Sequence, residues 1–366
     1  MAQHILITGG AGFIGSHLCR ALLASGHRVR VLDTLLDQVH GGRSPAALSR
    51  DVDLRVGDVQ DPDAVARAIQ GVDAVIHLAA EVGVGQSMYE IDRYVATNDR
   101  GTAVLLQALL AHPVARVIVA SSMSIYGEGL YRSADGRLIE DAQRCHGAAW
   151  DPVDESGMPL LPVPTPESKR PSLASVYAIS KFVQERLVLT VTQAYGMHGL
   201  ALRLFNVYGP GQALSNPYTG VLAIFASTLL NGAAPMVFED GEQRRDFVHV
   251  DDVVQAFILA LEAQGVTSGA FNIGSGESVT VSQIANRLAA SMGRRDLPPV
   301  ILGKARAGDI RHCFADISLA HQVLGFQPRR SLDEGMAELA AWVRRQRAIN
   351  RASQAHRELE ARGLVA

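Results

Sequence analysis

The sequence predicts an α/β protein, a doubly wound parallel sheet that carries a smaller mixed α/β lid. Two observations predict it. Over the first third of the chain short β-branched runs alternate with helical patterns, and the first run feeds a glycine-rich turn, Thr8-Gly9-Gly10-Ala11-Gly12-Phe13-Ile14-Gly15, that opens a helix. Strands alternating with helices require right-handed βαβ crossovers, and therefore a parallel sheet.

The elements follow in order. His4–Thr8, Arg28–Leu32, Asp53–Val56, Ala74–His77 and Arg116–Ala120 read as strands, because short apolar runs bounded by Gly or Asp suit strands buried on both faces. Helical patterns lie between them at Phe13–Ser25, Pro62–Gln70 and Ser87–Ala111. A further strand is expected near Leu200–Leu204, after the helix that carries Tyr177. The second half is punctuated by Gly209-Pro210-Gly211-Gln212, Asn216-Pro217 and Gly232, with helices expected at Tyr218–Asn231, Val250–Glu262, Val281–Ser291, Asp316–Leu324 and Leu332–Arg347. These form the lid on the C-terminal edge of the sheet. Residues 1–205, with 237–265 returning to them, make a Rossmann-type nucleotide domain; 206–236 and 266–345 make the substrate domain, and 346–366 a tail, either a charged helix or a frayed end. Two stretches, Asp37–Ser49 and Glu128–Thr165, carry no clear pattern, and loops that long are functional or disordered.

Composition narrows the function. The 366 residues are 48% hydrophobic with a net charge of −3, ample for a large core and without the general basic surface that draws in nucleic acid. Cys19, Cys145 and Cys313 are odd in number and far apart, which is neither a disulfide framework nor a metal-binding pattern and fits a reducing cytoplasm. The start lacks a basic n-region, and the longest apolar stretch, Val221–Leu230, falls short of the roughly 20 residues a membrane span needs. A soluble protein is expected, with no metal.

The glycine turn carries the first chemistry. It follows a strand and opens a helix, the context in which such a pattern binds a dinucleotide: the glycines let the backbone approach the pyrophosphate, and the helix N-terminus supplies positive field. Gly9, Gly12, Phe13, Ile14 and Gly15 are the expected contacts. Asp33, eighteen residues after Gly15, ends the second strand. A carboxylate there binds both ribose hydroxyls and repels a 2′-phosphate, so NAD is favoured over NADP. Asp58 and Val59 either reach the adenine or form a solvated strand end.

Redox chemistry is the second signal. Tyr177 and Lys181 stand four residues apart, on one face of a helix, and a cation beside a phenol lowers a pKa normally about 10. Such a tyrosine takes a proton from a substrate hydroxyl while a nicotinamide takes the hydride. Ser122, in Ser121-Ser122-Met123-Ser124-Ile125-Tyr126-Gly127 at a strand's C-terminal end, either holds that hydroxyl or is a satisfied turn serine.

With these motifs Leu78-Ala79-Ala80, Asn98 and Arg245-Asp246-Phe247-Val248-His249-Val250-Asp251-Asp252 complete an ordered match. From residue 4 to about 345 the chain resembles the extended short-chain dehydrogenase/reductase family, the NAD-dependent sugar epimerases and dehydratases. The resemblance implies that Ser122, Tyr177 and Lys181 are catalytic, and that Leu78, Ala79, Ala80 and Asn98 line the cofactor groove. It implies a nucleotide-sugar substrate, dTDP-, UDP- or GDP-linked, held by Ser122, Ser124, Asn206, Arg245 and Arg306, and a homodimer through the helices at Ser87–Ala111 and Ser175–Tyr195. Physically, two guanidiniums from the lid neutralise a pyrophosphate. Phe238 is a candidate to stack on the base.

Subtype turns on the residues after Ser122. The dehydratases of the family place Asp-Glu there, because eliminating water across C5 and C6 needs an acid and a base. Here Met123 and Ser124 do neither. The related decarboxylases keep a glutamate at the place of Ser124. What remains is removal and return of hydride at C4, a nucleotide-sugar 4-epimerase, and the stretches around Trp150-Asp151, Pro162–Glu167 and Gly209–Gly220 resemble the branch acting on deoxysugars such as dTDP-L-rhamnose. A nucleotide-sugar reductase or dehydrogenase, a UDP-hexose 4-epimerase and a non-catalytic regulator on the same fold are the rival readings.

Overall fold

The computed structural model describes residues 2–40, 48–144 and 150–365. Seven strands form a wholly parallel central sheet: β1 (His4–Thr8), β2 (Arg28–Asp33), β3 (Asp53–Val56), β4 (Ala74–His77), β5 (Arg116–Ser122), β6 (His198–Leu204) and β7 (Ser268–Ile273). Their order is β7-β6-β5-β4-β1-β2-β3. The chain runs outward from β1 to β3 and then crosses back to β4 on the other side of β1, so the sheet's switch point lies between β1 and β4. Ligands of such sheets sit at that crevice, beyond the carboxyl ends of the strands.

Period-two alternation feeds two cores. Ile5 and Ile7 of β1 meet Leu18 and Leu22 of α1 (Phe13–Ala24), while Leu6 faces the opposite cluster with Leu105 and Leu109 of α3 (Gly101–Ala111). The first face is completed by Val253 and Phe257 of α6 (Val250–Glu262), the second by α2 (Pro62–Ala68) and by Val188 of α4 (Val176–Ala194). Each such side chain contributes about 2 kcal/mol by leaving water. The lid has its own core, where Leu222 and Leu229 of α5 (Val221–Leu230) pack on Ile284 and Leu288 of α7 (Val281–Ser291) and Leu339 of α8 (Leu332–Val343).

Several expectations are corrected. The single helix expected over Ser87–Ala111 is broken into Val84–Ser87, Ile91–Tyr94, a π-helical turn Val95–Arg100, and α3. The wider turn rotates Asn98 into the interior, and apolar periodicity does not report such a shift. Tyr218 starts no helix: Asn216 Oδ1 accepts from Tyr218 N (3.0 Å), forming a turn, and α5 begins at Val221. β7 falls in a stretch assigned to the lid, yet it joins the main sheet with Phe271 opposite Leu202 of β6. With glycine at 269 and three apolar residues, its strand pattern is short.

The patternless stretch Glu128–Thr165 holds a small antiparallel sheet, Leu130–Arg132 between Leu138–Ile139 and Leu161–Val163. The tail contains α9 (Ala352–Ala361), docked rather than frayed. Within Asp37–Ser49 a short helix spans Asp37–His40, and residues 41–47 lie outside the described residues, as does Cys145. Among the described residues no helix is long and apolar enough to cross a membrane.

Candidate active site

Gly9 turns the chain out of β1 with φ +70°, and a Cβ there would lie 2.7 Å from the Ala79 backbone nitrogen. The turn at the end of β1 therefore touches the Leu78-Ala79-Ala80 stretch after β4, closing the floor of the groove. At Gly15 a Cβ would lie 2.5 Å from Gly10 Cα, so only glycine lets α1 approach the turn this closely. No side chain caps the N-terminus of α1 at Gly12. Its first N–H groups face a groove lined by Phe13, Ile14, Asp33, Asp58 and Val59, part of a cavity of about 870 Å³.

Asp33 is held by its neighbours. Its Oδ2 accepts from Ala11 N (3.0 Å) in the glycine turn, and its Oδ1 accepts from Leu35 N (2.9 Å). The carboxylate is thereby fixed at the rim, with lone pairs left for a diol. Asp58 accepts from both the backbone and the side chain of Gln60 (2.8 and 3.3 Å) at the same edge. These residues fit a dinucleotide: an open helix N-terminus for the pyrophosphate and a fixed carboxylate for the ribose.

Asn98 does not line the groove. It is wholly buried behind it, where Oδ1 accepts from Glu81 N (2.8 Å) and Nδ2 donates to Glu81 O (3.1 Å) and Ser180 Oγ (2.9 Å). It ties the segment that follows Ala80 to the helix that carries Tyr177, a positioning role.

Ser175 caps α4 by accepting from Ala178 N (3.1 Å), which sets Tyr177 in the first turn and Lys181 one turn below. Both side chains reach the cavity, as do Ser122 and Ser124 from the end of β5. The Tyr177 amide donates to Ser87 Oγ (3.0 Å), and its ring meets Tyr94 edge-on at 6.4 Å. Ser122 Oγ accepts from the backbone and hydroxyl of Ser124 (3.2 and 2.9 Å).

The electrostatics correct one expectation. Burial pushes the Tyr177 phenol up, opposed by the Ser122 hydroxyl, so the protein alone does not lower it. Burial also brings the Lys181 ammonium down to about 7, with Glu185 opposing, and its Nζ donates to Gln184 Oε1 (2.5 Å). Gln184 continues into a buried chain that sequence reading missed. Its Nε2 donates to Thr102 Oγ1 (2.9 Å), which lies 2.8 Å from His77 Nε2, while His77 Nδ1 lies 2.6 Å from Thr8 Oγ1 at the start of the glycine turn. Burial, with the Lys181 charge, drives the His77 imidazole down to about 3. The sole sequence signal was Gln184 seven residues after Tyr177, on the same helical face.

At the lid side Asn206 Nδ2 donates to Asp246 O (3.0 Å). The Arg245 guanidinium is held by the carbonyls of Arg244 and Arg311 (both 2.9 Å) and of Ile310. Asp246 beside it is buried and accepts from Ser275 N (2.6 Å) and Gly276 N (2.9 Å); burial raises its carboxyl to about 6. Arg306 grips Asp309 through two nitrogens (3.0 and 3.1 Å), and its guanidinium lies 4.5 Å over the Phe238 ring. Arg245, Arg306 and Phe238 all face the cavity. So do Ala355, His356 and Leu359 of α9, which no sequence motif announced.

Fold and site together define a dinucleotide-binding α/β protein with a tyrosine, a lysine and a serine gathered where the cofactor groove meets a second ligand's chamber. Residues 5–274 match the family model described as "NAD dependent epimerase/dehydratase family". A dTDP-L-rhamnose 4-epimerase of Burkholderia thailandensis is 37% identical over 351 residues, spanning 93% of this chain and 95% of that protein. The UDP-glucose 4-epimerase of Thermotoga maritima, solved with UDP-glucose, superposes with a TM-score of 0.77 at 33% identity, covering 93% of this chain and 98% of that one. A dTDP-glucose 4,6-dehydratase from Streptomyces venezuelae, solved with NAD bound, gives a TM-score of 0.77 at 28% identity over 94% and 98%. The chain belongs to the NAD-dependent epimerase/dehydratase family, and NAD is its cofactor.

Proposed function

We propose that this enzyme inverts C4 of a nucleotide sugar through a 4-keto intermediate, acting on a dTDP-deoxyhexose such as dTDP-L-rhamnose. The observation that carries the reading is the pair after Ser122. Met123 and Ser124 line the cavity where elimination needs an acid and a base, and the Ser124 hydroxyl is spent on Ser122. Glu81 and Asp309, carboxylates of the same cavity, are paired with Arg93 (2.8 Å) and Arg306 (3.0 Å). The likeness to the Burkholderia protein supports the choice of sugar and base.

Tyr177 takes the proton of the C4 hydroxyl, and Ser122 holds that hydroxyl against the phenol. NAD supplies the acceptor and donor of hydride at C4. Lys181 and the positive ring of the bound cofactor favour the phenolate, offsetting the burial that raises it in the protein alone. Arg245 neutralises the diphosphate and Arg306, whose Nε and Nη2 hold Asp309, has Nη1 left to donate to it, anchoring the nucleotide while the 4-ketose turns over and presents its other face. Asp33 selects NAD.

The exposed apolar side chains Ile91, Val95 and Ile179 support a homodimer through the helices around Ile91–Tyr94 and α4. Cys19 and Cys313 are buried free thiols, their pKa pushed up to about 12 by burial, which suits a reducing cytoplasm.

Product analysis in deuterium oxide tests the function. Incubation with dTDP-L-rhamnose should give the C4 epimer with no deuterium on carbon, because the hydride stays within the site. Solvent deuterium at C5 or C6 would show elimination or enolisation, and a stoichiometric demand for added NADPH would show a reductase.

A further inference from the structure

We propose that Gln212 is a further cofactor-binding residue, whose side-chain oxygen accepts from the carboxamide NH2 of the nicotinamide and so fixes the rotation of that ring. The inference rests on NAD as the cofactor and holds whichever nucleotide sugar the enzyme takes.

Gln212 is buried at 5% exposure, yet it lines the cavity. Its Nε2 donates to Val207 O (3.3 Å). A carbonyl takes only a donor, so this contact settles which end of the amide is nitrogen. Oε1 is left buried, and among the described residues nothing donates to it. Burying an acceptor without a donor is costly, so such an atom calls for a donor from a ligand.

Two other cavity-lining side chains carry an unpartnered buried atom, Gln243 at Oε1 and His356 at Nδ1. Both belong to the Phe238 end. Gln243 Nε2 donates to Phe238 O (2.8 Å), and the His356 ring lies 5.5 Å from the Phe238 ring.

Gln212 belongs to the cofactor end. A Cβ on Gly211 beside it would lie 3.4 Å from His17 Nε2 and 3.6 Å from Phe13 Cδ2, both on the first turns of α1. His17 Nε2 donates to Pro210 O (2.8 Å), and Gln38 Nε2, from the segment after Asp33, donates to Asn216 Oδ1 (3.3 Å). Residues 210–216 thus rest on the helix that receives the pyrophosphate and reach the segment that follows the ribose-binding carboxylate. Val207, the other contact, lies just past the end of β6, where Leu204 pairs with Ser122. Gln212 is therefore held between the pyrophosphate turn and the reaction centre, the interval that a dinucleotide spans with its nicotinamide riboside.

Pyrophosphate oxygens only accept, so they cannot serve Oε1. The carboxamide NH2 can, and it sits on the ring carbon next to the one that exchanges hydride. A ring held through that group presents one face to the sugar, so hydride leaves and returns through the same face.

Cofactor competition tests the assignment without turnover. The purified enzyme would be equilibrated with a mixture of NAD and its 3-acetylpyridine analogue, in which a methyl group replaces the NH2 and the carbonyl stays. It would then be desalted and its bound nucleotides quantified. The wild type should favour NAD about tenfold or more, because the analogue leaves Oε1 unpaired. Gln212→Met, similar in length but without the acceptor, should cut the preference to about threefold or less, with dTDP affinity by calorimetry within about twofold of wild type. A wild type that takes the two dinucleotides equally would overturn the assignment without recourse to a variant. So would a Gln212→Met protein that keeps the full preference: weakening of both dinucleotides alike would put Oε1 on a ribose hydroxyl, and weakening of dTDP-L-rhamnose alone would put it on the sugar. Failure of the wild type to invert C4 would sink the functional reading and leave this competition intact.

Discussion

At the scale of single residues, Tyr177 shows how far a motif states chemistry. Its spacing from Lys181 predicted one helical face, and α4 delivers both side chains to one cavity. What spacing does not state is the cost of burial, which raises the phenol and lowers the ammonium in the protein alone. If Tyr177 is the proton acceptor, Tyr177→Phe should lose about 10² to 10⁴ in kcat while retaining NAD, read by turnover and by cofactor retained on desalting. Substantial residual activity would remove the tyrosine from the mechanism. Asp33, fixed by the amides of Ala11 and Leu35, bears on the cofactor alone. Asp33→Ala should bring the affinities for NAD and NADP together, and a wild type that already takes both would show that this carboxylate does not discriminate.

At the scale of elements, the small antiparallel sheet of 128–165 acts as a brace. Arg311, buried at 1% exposure, binds Asp151 of that insertion (2.6 Å), Glu239 (2.9 Å) and Asp240 (2.6 Å). Arg144 joins Glu128 (2.9 Å) to Glu239 (2.5 Å) alongside. The segment so held offers the carbonyls of Ile310 and Arg311 to Arg245. Without Arg311 the buried Glu239 keeps Arg144, while Asp151 and Asp240 are partly exposed, so the cost falls below the roughly 3–5 kcal/mol of breaking a fully buried pair. Arg311→Met should therefore lower the melting temperature and weaken dTDP binding at least about tenfold, with NAD affinity retained. Undiminished dTDP affinity would show that the brace does not position Arg245.

At the scale of the whole molecule, buried neutral histidines make stability depend on pH. Burial holds the His312 imidazole at about 4, against the opposing hydrogen bond to Asp151. The unfolded chain takes a proton near pH 6.5, so between about 6.5 and 4 it carries more protons than the folded chain, and stability falls as pH falls. From pH 7 to 5 the loss amounts to about 2 kcal/mol at most. Asp246, with its carboxyl raised to about 6, works in the opposite direction, so the total slope is a balance and the informative quantity is a difference. His312→Gln should lose less stability to denaturant between pH 7 and pH 5 than the wild type does. Equal losses would show that His312 does not titrate in that window.

Legible in the sequence are the sheet's first five strands, the glycine turn, and the placement of Asp33 at the end of β2, of Tyr177 and Lys181 on one helix and of Ser122 at the end of β5, because each is encoded within a few adjacent residues or one helical turn. His4–Thr8, Asp53–Val56 and Ala74–His77 form with the predicted bounds, since continuous apolar runs are enough to specify strands buried on both faces. Only the tertiary structure decided what depends on partners far along the chain. Asn98 answers to Glu81 and Ser180, Arg311 to Asp151 and Glu239, and Leu359 to Gly85. β7 becomes a strand because β6 supplies its partner, and the tail becomes a roof because Ser215, Tyr218 and Ala307 hold it there. Local patterns encode secondary structure and the chemistry of short motifs, whereas hydrogen bonds between distant segments are set when packing brings those segments together.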